Sequence, residues 1–258
     1  MKNKCVTLLS VVFLFCSCGR TINIVSYNVG VFSKSEVNST EMIADMLRKH
    51  HADYVGLCEL DSCTVRTGGV FQLEELKNKL PAGYQMVFAP SMPFQGGKYG
   101  IGLLVGPSHR ILNSELVHLP KGEGSEPRAL CIAETEDIIF AVTHLEFSSV
   151  VSRMEQGHIV DSILRSRAKN SGKEVVLCGD FNATPQSEVI AMFMENWQIV
   201  SPLEYSYPSD APRACIDYVF VLKNSRLRCE SSSMVKDFDG NSPEQASDHL
   251  AVSVVLRE

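Results

Sequence analysis

The segment Val175–Pro185, with the sequence VVLCGDFNATP, constrains the fold of this chain more than any other stretch. Four apolar residues in succession, 175–178, predict a central strand that is covered on both faces. Gly179 allows the backbone to bend where a side chain would collide. Asp180 and Asn182 then share one side of the extended chain. Such a pair can hold a metal-bound phosphate or a water, although a simple Asx-type turn would use the same residues.

Strands dominate the rest of the chain, and helices are interspersed among them. Helical spacing of apolar residues predicts helices near 39–50, 73–80, 150–167 and 187–196. Strands are predicted at 215–222 and 227–235, and these two are expected to pair as a hairpin.

Polar side chains repeatedly follow the ends of the predicted strands, which is typical of a site built at one rim of a sheet sandwich. Asp217 is the exception, because it lies just inside its predicted strand. The residues that follow strand ends are Asn28, Glu59, His144, Asp180, Asn182, Asp248 and His249.

The length of the chain is compatible with one or two domains, and its composition favours one. The 258 residues are 45% hydrophobic and 21% charged, which is enough to form a large core. No internal repeat, low-complexity run or linker-like stretch divides the sequence. We therefore expect a single domain over residues 18–258, acting as a monomer.

The N-terminus has the pattern of an export signal. Two lysines precede the apolar run Val6–Phe15, which is too short to span a bilayer as a mature helix. The following Cys16-Ser17-Cys18-Gly19 resembles a bacterial lipobox. The sequence thus predicts a signal peptide at 1–17 and an acylated Cys18, which would anchor an exported lipoprotein on the periplasmic or outer-membrane side. The alternative is ordinary cleavage and secretion.

Three of the nine cysteines belong to the predicted signal, and the spacing of the other six matches no zinc-binding motif. Cys58, Cys131 and Cys178 lie in apolar strands and are expected to be small buried hydrophobic residues. An exported protein can form disulfides. The candidate pairs are Cys58 with Cys63 and Cys215 with Cys229.

The charge distribution disfavours long nucleic acids as partners. The net charge is −6, and the basic residues are scattered along the chain. The densest basic run, 165–169, falls at the end of a predicted helix, where cations favour the helix dipole. A protein that binds duplex DNA normally has a basic stripe.

Eight short blocks resemble motifs of the endonuclease/exonuclease/phosphatase superfamily, the group of DNase I-like nucleases and phosphatases. They occur in the order found in the family and span residues 26–249. The blocks are SYNV at 26–29, CEL at 58–60, YG at 99–100, EPR at 126–128, THL at 143–145, GDFN at 179–182, IDYVF at 216–220 and SDH at 247–249.

The resemblance implies an α/β four-layer sandwich, with two facing, mostly antiparallel sheets flanked by helices. It also implies hydrolysis of phosphoesters at a Mg²⁺ site, with Mn²⁺ as the alternative ion. On the metal side, Glu59 resembles the ligating glutamate of the family, and Asn28 and Asp248 resemble further contributors. Tyr99 and Arg128 resemble contacts to the substrate phosphate, although the residues after Tyr99 depart from the common family pattern.

The same resemblance assigns roles to five catalytic candidates. His249 resembles the catalytic histidine, and Asp217 the carboxylate that orients it. His144 resembles a second histidine that contacts the phosphate and assists the leaving group. Asp180 and Asn182 resemble the pair that holds the attacking water. The resemblance leaves open whether Asp180 or His249 accepts the proton of that water.

Three functions are compatible with these residues. The first is a metal-dependent hydrolase of a small phosphoester or a lipid headgroup, which the acidic balance and the expected membrane anchor favour. The second is a DNA or RNA nuclease with the same catalytic residues. The third is a non-catalytic binding module, which is disfavoured because every chemically important position is retained.

Overall fold

Two six-stranded sheets pack face to face in this protein, and helices cover their outer faces. The computed structural model describes residues 19–32, 39–238 and 240–258. This architecture confirms the four-layer α/β sandwich expected from the sequence. The predicted signal peptide at 1–17 and the predicted acylation site Cys18 lie outside the described residues.

The described residues form twelve strands and four α-helices, with the helices interspersed among the strands. The helices are α1 (Thr40–Lys49), α2 (Gln72–Lys79), α3 (Val150–Ser171) and α4 (Glu188–Asn196). The strands are β1 (Thr21–Asn28), β2 (Tyr54–Ser62), β3 (Gln85–Phe94), β4 (Gly97–Val105), β5 (Asn113–Leu119), β6 (Arg128–Glu134), β7 (Ile138–His144), β8 (Glu174–Asp180), β9 (Trp197–Ile199), β10 (Asp217–Leu222), β11 (Arg228–Val235) and β12 (Ala251–Arg257). Among the described residues, no helix is long and apolar enough to cross a membrane.

The order of the strands brings the ends of several central strands to one rim. The first sheet has the order β11-β12-β1-β2-β4-β3, and the second has β5-β6-β7-β8-β10-β9. β1 pairs with β2 in parallel, and β7 pairs with β8 in parallel, whereas the other pairs are antiparallel. Because parallel strands end at the same edge, Asn28, His144 and Asp180 lie at a common rim.

Three apolar layers stabilise the sandwich. Helices α1 and α2 bury residues such as Ile43 and Leu73 against the outer face of the first sheet. Helices α3 and α4 bury Leu164 and Phe193 against the outer face of the second sheet. The inner faces of both sheets share a third cluster that includes Phe140. Burial of these side chains supplies the main driving force for folding.

The six cysteines among the described residues are free thiols, so both candidate disulfides are wrong. Cys58, Cys131 and Cys178 lie in the cluster between the sheets, as expected of small hydrophobic residues. Cys63 is exposed directly after β2, whereas Cys58 is buried inside that strand. Five residues of extended strand, at about 3.3 Å each, separate the two by more than a disulfide can span. The other pair is Cys215, buried with the helix layer of the second sheet, and Cys229, exposed on β11 of the first sheet.

The predicted hairpin between 215–222 and 227–235 is also wrong. β10 pairs with β8 and β9, whereas β11 pairs with β12 in the other sheet. The connection crosses between the sheets, and Leu227 becomes part of the core that they share. Alternating apolar residues identify a strand, but they do not determine which neighbour it pairs with.

Candidate active site

A cleft of about 530 Å³ opens at the rim where β1, β7 and β8 end. Eight of the ten site residues predicted from the sequence line it. The other two do not line the cleft, but Asn28 forms a hydrogen bond with Glu59, and Asp217 forms one with His249. The eight lining residues are Glu59, Tyr99, Arg128, His144, Asp180, Asn182, Asp248 and His249. The structure therefore brings all ten predicted residues together, although their roles stay predictions.

His249 and Asp217 form a buried pair that joins the two sheets. His249 lies in the turn before β12, and its Nδ1 is 2.8 Å from Oδ2 of Asp217, the first residue of β10. Burial alone would lower the pKa of His249. The carboxylates of Asp217, Asp180 and Asp248 outweigh that effect and raise its pKa to about 10. The imidazole thus carries a proton at neutral pH in this arrangement.

Asp180 lies between the two predicted catalytic histidines. Its Oδ1 accepts a hydrogen bond from the backbone N–H of Asn182 at 2.8 Å, and its Oδ2 accepts one from Nδ2 of Asn28 at 3.1 Å. The Nε2 atoms of His144 and His249 lie 3.6 and 3.7 Å from the same Oδ2. One carboxylate oxygen therefore faces two imidazoles and an amide.

Asp180 and Asp217 stand opposite each other on the neighbouring strands β8 and β10. Burial and the negative charge of Asp217 raise the pKa of Asp180 to about 7, although the charge of His249 acts in the opposite direction. Oδ1 of Asp217 is buried and has no hydrogen-bond partner among the described residues. Two buried carboxylates and one imidazole therefore leave negative charge at this end of the cleft.

His144 and Asn182 form the second polar cluster. Nδ2 of Asn182 lies 3.0 Å from Nε2 of His144 and donates to the backbone carbonyl of Leu145 at 3.0 Å. Arg153 donates to the carbonyl of Asn182 at 2.6 Å, so it supports the turn from outside the cleft. Burial lowers the pKa of His144 well below its ordinary value, and the positive charges of Arg128 and His249 act in the same direction. His144 is therefore a neutral imidazole.

Glu59 occupies a strained position inside β2, whereas the sequence predicted that it follows the end of the strand. The pairing of β2 with β4 is interrupted between Leu57 and Leu60, and β2 continues to Ser62. Glu59 has a φ of 60°, a left-handed conformation that is unusual for a residue other than glycine. This irregularity directs the carboxylate into the cleft, where its Oε1 accepts a hydrogen bond from Nδ2 of Asn28 at 3.0 Å.

The acidic side of the cleft suits a divalent cation. Asp180, Asp217 and His249 offer ligand atoms that all lie within 4.8 Å of one another. The hydrogen bond between His249 and Asp217 already uses one atom of each, so the carboxylates of Glu59 and Asp248, which line the cleft, are better placed for a hard cation.

Asn28, which the sequence also predicts as a metal contact, bridges the carboxylates in this structure. Its Oδ1 accepts a hydrogen bond from the N–H of Gly30 at 3.1 Å, and its Nδ2 donates to Glu59 and Asp180. In this orientation Asn28 holds the two carboxylates together, and direct ligation by its oxygen stays a prediction.

A sequence profile of the endonuclease/exonuclease/phosphatase family matches residues 25–249. The chain belongs to this family. It is accordingly an enzyme that hydrolyses phosphoesters. A comparison with curated protein sequences gave no significant match.

Solved structures of other family members have the same fold. A mannosyl-6-phosphatase of Bacteroides thetaiotaomicron VPI-5482 superposes with a TM-score of 0.74 at 17% identity, over 91% of this chain and 99% of that chain. The catalytic domain of human Nocturnin, with a bound sulfate anion, superposes with a TM-score of 0.70 at 19% identity, over 92% and 94% of the two chains. At these identities the similarity concerns the fold.

The cleft of this endonuclease/exonuclease/phosphatase family member also contains residues that sequence reasoning did not select as site residues. Tyr207 is one of them, and its ring centroid lies 4.8 Å from that of His249. Among the others that line the cleft, Met92 and Phe94 lie within β3, and Glu126 belongs to the EPR block. Arg66 and Phe147 lie in turns or loops without a recognisable motif.

Proposed function

We propose that this enzyme is a Mg²⁺-dependent phosphatase that acts on a small, water-soluble phosphomonoester. The observation that carries the proposal is the convergence of carboxylates, amides, two imidazoles and an arginine in one polar cleft. Hydrolysis of a phosphoester requires a positioned water, neutralisation of charge on the phosphate and help for the leaving group. The cleft contains residues suited to each task.

Asp180, Asn182 and His249 act on the side of the attacking water. Oδ2 of Asp180 and Nε2 of His249 are 3.7 Å apart, so one water can contact both groups. Because His249 is protonated in this arrangement, Asp180 is the group that accepts the proton of this water. The bond to Asp217 fixes the ring of His249 in one orientation. Nδ2 of Asn182 is engaged by His144 and Leu145, so the side-chain oxygen of Asn182 is the atom that accepts a hydrogen bond from this water.

His144, Arg128 and Tyr99 act on the phosphate and the leaving group. Nη1 of Arg128 lies 3.3 Å from Nδ1 of His144, which places a positive charge beside the neutral imidazole. Arg128 neutralises charge on the phosphate, and His144 contacts the oxygen of the departing alcohol. Burial raises the pKa of Tyr99, so its hydroxyl stays protonated and serves as a hydrogen-bond donor.

Glu59, Asp248 and the amide of Asn28 are the residues that would hold Mg²⁺, and Mn²⁺ prefers similar oxygen ligands. When bound, the ion supplies positive charge that stabilises the negative charge developing on the phosphate. The strained φ of Glu59 supports this assignment, because strain of this kind is retained at functional sites.

The position of the N-terminus supports a soluble substrate over a lipid headgroup. Arg20, the residue before β1, donates to Asp137 at 2.6 Å, at the end of the sandwich opposite the cleft. The eight-residue strand β1 separates this end from Asn28 by roughly 23 Å, at about 3.3 Å per residue.

We also propose that Cys18 is acylated and anchors the exported protein, in which case the cleft faces away from that membrane.

The activity test uses four substrates with Mg²⁺: mannose 6-phosphate, bis-p-nitrophenyl phosphate, sphingomyelin and supercoiled plasmid. The first is included because one structural relative is named as a mannosyl-6-phosphatase. We expect phosphate release from the monoester, and its loss in Glu59→Ala and His249→Ala variants. Plasmid nicking at low enzyme concentration without monoester turnover would instead establish the nuclease function, and phosphocholine release would establish the lipid function.

The anchor is tested separately by expressing the full chain and its Cys18→Ala variant in a bacterial host. We expect the wild type to partition into the detergent phase of Triton X-114 and the variant into the aqueous phase. Aqueous partitioning of both proteins would contradict the lipoprotein proposal without affecting the catalytic one.

A further inference from the structure

Arg66 is held in the wall of the cleft by a buried carboxylate. It lies in the short turn Val65–Thr67 after β2, and its Nε and Nη2 donate to the two oxygens of Asp61 at 2.6 and 2.8 Å. Asp61 is fully buried, whereas the side chain of Arg66 is 37% exposed. The guanidinium lies over the ring of Phe94, 4.5 Å from its centroid. A bidentate pair of this kind fixes the plane of the guanidinium.

This arrangement leaves one nitrogen of Arg66 available to a ligand. Among the hydrogen bonds formed by the described residues, none engages Nη1 of Arg66, although the side chain lines the cleft. A surface arginine that served only to neutralise Asp61 would not need a fixed place in the same cavity as Glu59 and His249. The position of Arg66 therefore indicates a contact to the part of the substrate beyond the phosphate.

A second arginine that lines the cleft, Arg128, also has a carboxylate and an aromatic ring beside it. Nη1 of Arg128 is 3.3 Å from Oε2 of Glu126, and its guanidinium lies 5.9 Å from the ring centroid of Phe147. Each arginine thus has a carboxylate partner and an aromatic ring, so this part of the cleft offers hydrogen-bond donors, acceptors and ring faces. Because the charge of Arg66 is offset by Asp61, this wall suits hydroxyl groups better than a second phosphate.

We propose that Arg66, positioned by Asp61 over Phe94, determines specificity by donating from Nη1 to a hydroxyl of the leaving alcohol. The preferred substrates are then phosphomonoesters of uncharged, hydroxyl-rich alcohols such as hexoses. This inference rests on the phosphatase function proposed above. The contact lies away from the reacting atoms, so its loss raises KM more than it lowers kcat.

A matched pair of substrates isolates this contact. Mannose 6-phosphate and cyclohexylmethyl phosphate both join a six-membered ring to the phosphate through a methylene group, but only the sugar has ring hydroxyls. We expect the wild type to prefer the sugar phosphate in kcat/KM by about tenfold or more, as for a hydrogen bond to a charged donor. We expect Arg66→Ala to remove most of this preference, mainly through KM. Arg66→Lys should restore part of it.

The design of the variants separates specificity from stability. Because Arg66→Ala leaves a buried carboxylate without its partner, the double variant Asp61→Asn/Arg66→Ala is measured beside it. Arg110→Ala is the matched control, because Arg110 is exposed in the connection between β4 and β5. Thermal unfolding of each protein shows whether the fold is retained.

The outcomes distinguish the inference from the function on which it depends. An unchanged ratio between the two substrates in folded Arg66 variants would overturn the role of Arg66, as would a wild type without a preference for the sugar. A preference of the wild type for glucose 1,6-bisphosphate over glucose 6-phosphate that disappears in Arg66→Ala would show a second-anion site instead. Failure of the wild type to hydrolyse any monoester would overturn the proposed phosphatase function itself.

Discussion

Nδ1 of His249 lies 2.8 Å from Oδ2 of Asp217, and this contact joins the turn before β12 in one sheet to the start of β10 in the other. The two residues are 4% and 1% exposed, so water does not screen the interaction. The candidate site is thus assembled across both sheets, and the packing between the sheets sets its geometry.

We predict that Asp217→Asn lowers kcat by about 100-fold or more, a typical effect of impairing acid–base catalysis. The amide retains the shape of the side chain but removes the charge that holds His249 as an oriented imidazolium. The change should affect KM little, because Asp217 contacts His249 and does not line the cleft. Steady-state kinetics measure the effect, and NMR titration of His249 should show a lower pKa than in the wild type.

The control for this prediction is Glu195→Gln, which removes an exposed carboxylate from α4. It should retain the kinetics of the wild type. Wild-type turnover in a folded Asp217→Asn protein would show that the carboxylate of Asp217 has no catalytic function.

Removal of the carboxylate charge of Glu59 should weaken binding of the divalent ion. We predict that Glu59→Gln binds Mn²⁺ at least about tenfold more weakly than the wild type. Mutation of residues that hydrogen-bond to metal ligands typically weakens metal binding by a similar factor. Electron paramagnetic resonance of free Mn²⁺ measures binding directly and does not depend on turnover. Glu74→Gln, on the exposed side of α2, is the matched control. Equal affinities would remove Glu59 from the metal site.

Treatment of the wild type with EDTA should abolish hydrolysis, and added Mg²⁺ should restore it. Activity that persists after complete chelation would contradict the metal-dependent proposal.

Glu146 should make the stability of the fold depend on pH. Its carboxylate accepts hydrogen bonds from the backbone N–H groups of Ser125, Glu126 and Ser148 at 3.1, 3.3 and 2.8 Å. Burial opposes the charge, but these bonds and that of the Ser148 hydroxyl outweigh it and lower the pKa of Glu146 from 4.5 to about 2. The folded state therefore favours the ionised carboxylate.

A carboxylate with a lowered pKa contributes stability above pH 4.5, and that contribution is lost as the pH falls through about 2. We predict that Glu146→Gln reduces the free energy of unfolding at pH 7, on the order of 2 kcal/mol for a hydrogen-bonded charged group. The difference from the wild type should decrease between pH 4.5 and pH 2. Urea unfolding across this range measures it, and a difference that does not vary with pH would contradict the assignment.

Much of the fold and most of the site could be predicted from the sequence, because the chemistry lies in short blocks next to strong strand signals. The block GDFN follows a run of four buried residues, and both Asp180 and Asn182 line the cleft. They do so through an Asx-type turn, in which Asn182 has a φ of 48° and its N–H donates to Oδ1 of Asp180, and not through the extended chain that the pattern predicted. The pairing of β11 could not be predicted, since an amphipathic strand has the same alternation beside β10 or beside β12.

The strained position of Glu59 and the wall around Arg66 were also beyond the sequence. The irregularity in β2 depends on its pairing with β4, which local residue preferences do not reveal. Arg66 lies in a turn without a motif, and its importance becomes visible only when Asp61 and Phe94 surround it. Such residues are found through tertiary contacts, because their types alone are common in any exposed loop.

Gly179 is required where β8 meets β7, directly before Asp180, the candidate catalytic carboxylate. Its φ is 139°, and a Cβ atom there would lie 1.8 Å from the carbonyl oxygen of Thr143. Gly172, after α3, also has a positive φ, of 70°, but a Cβ atom there would meet nothing within 4 Å. Alanine at position 172 would therefore introduce backbone strain alone, whereas alanine at position 179 would add a steric collision. We predict that Gly172→Ala destabilises the protein by about 1 kcal/mol and Gly179→Ala by about 3 kcal/mol or more. Chemical denaturation measures both, and equal losses would show that the contact with Thr143 relaxes without cost.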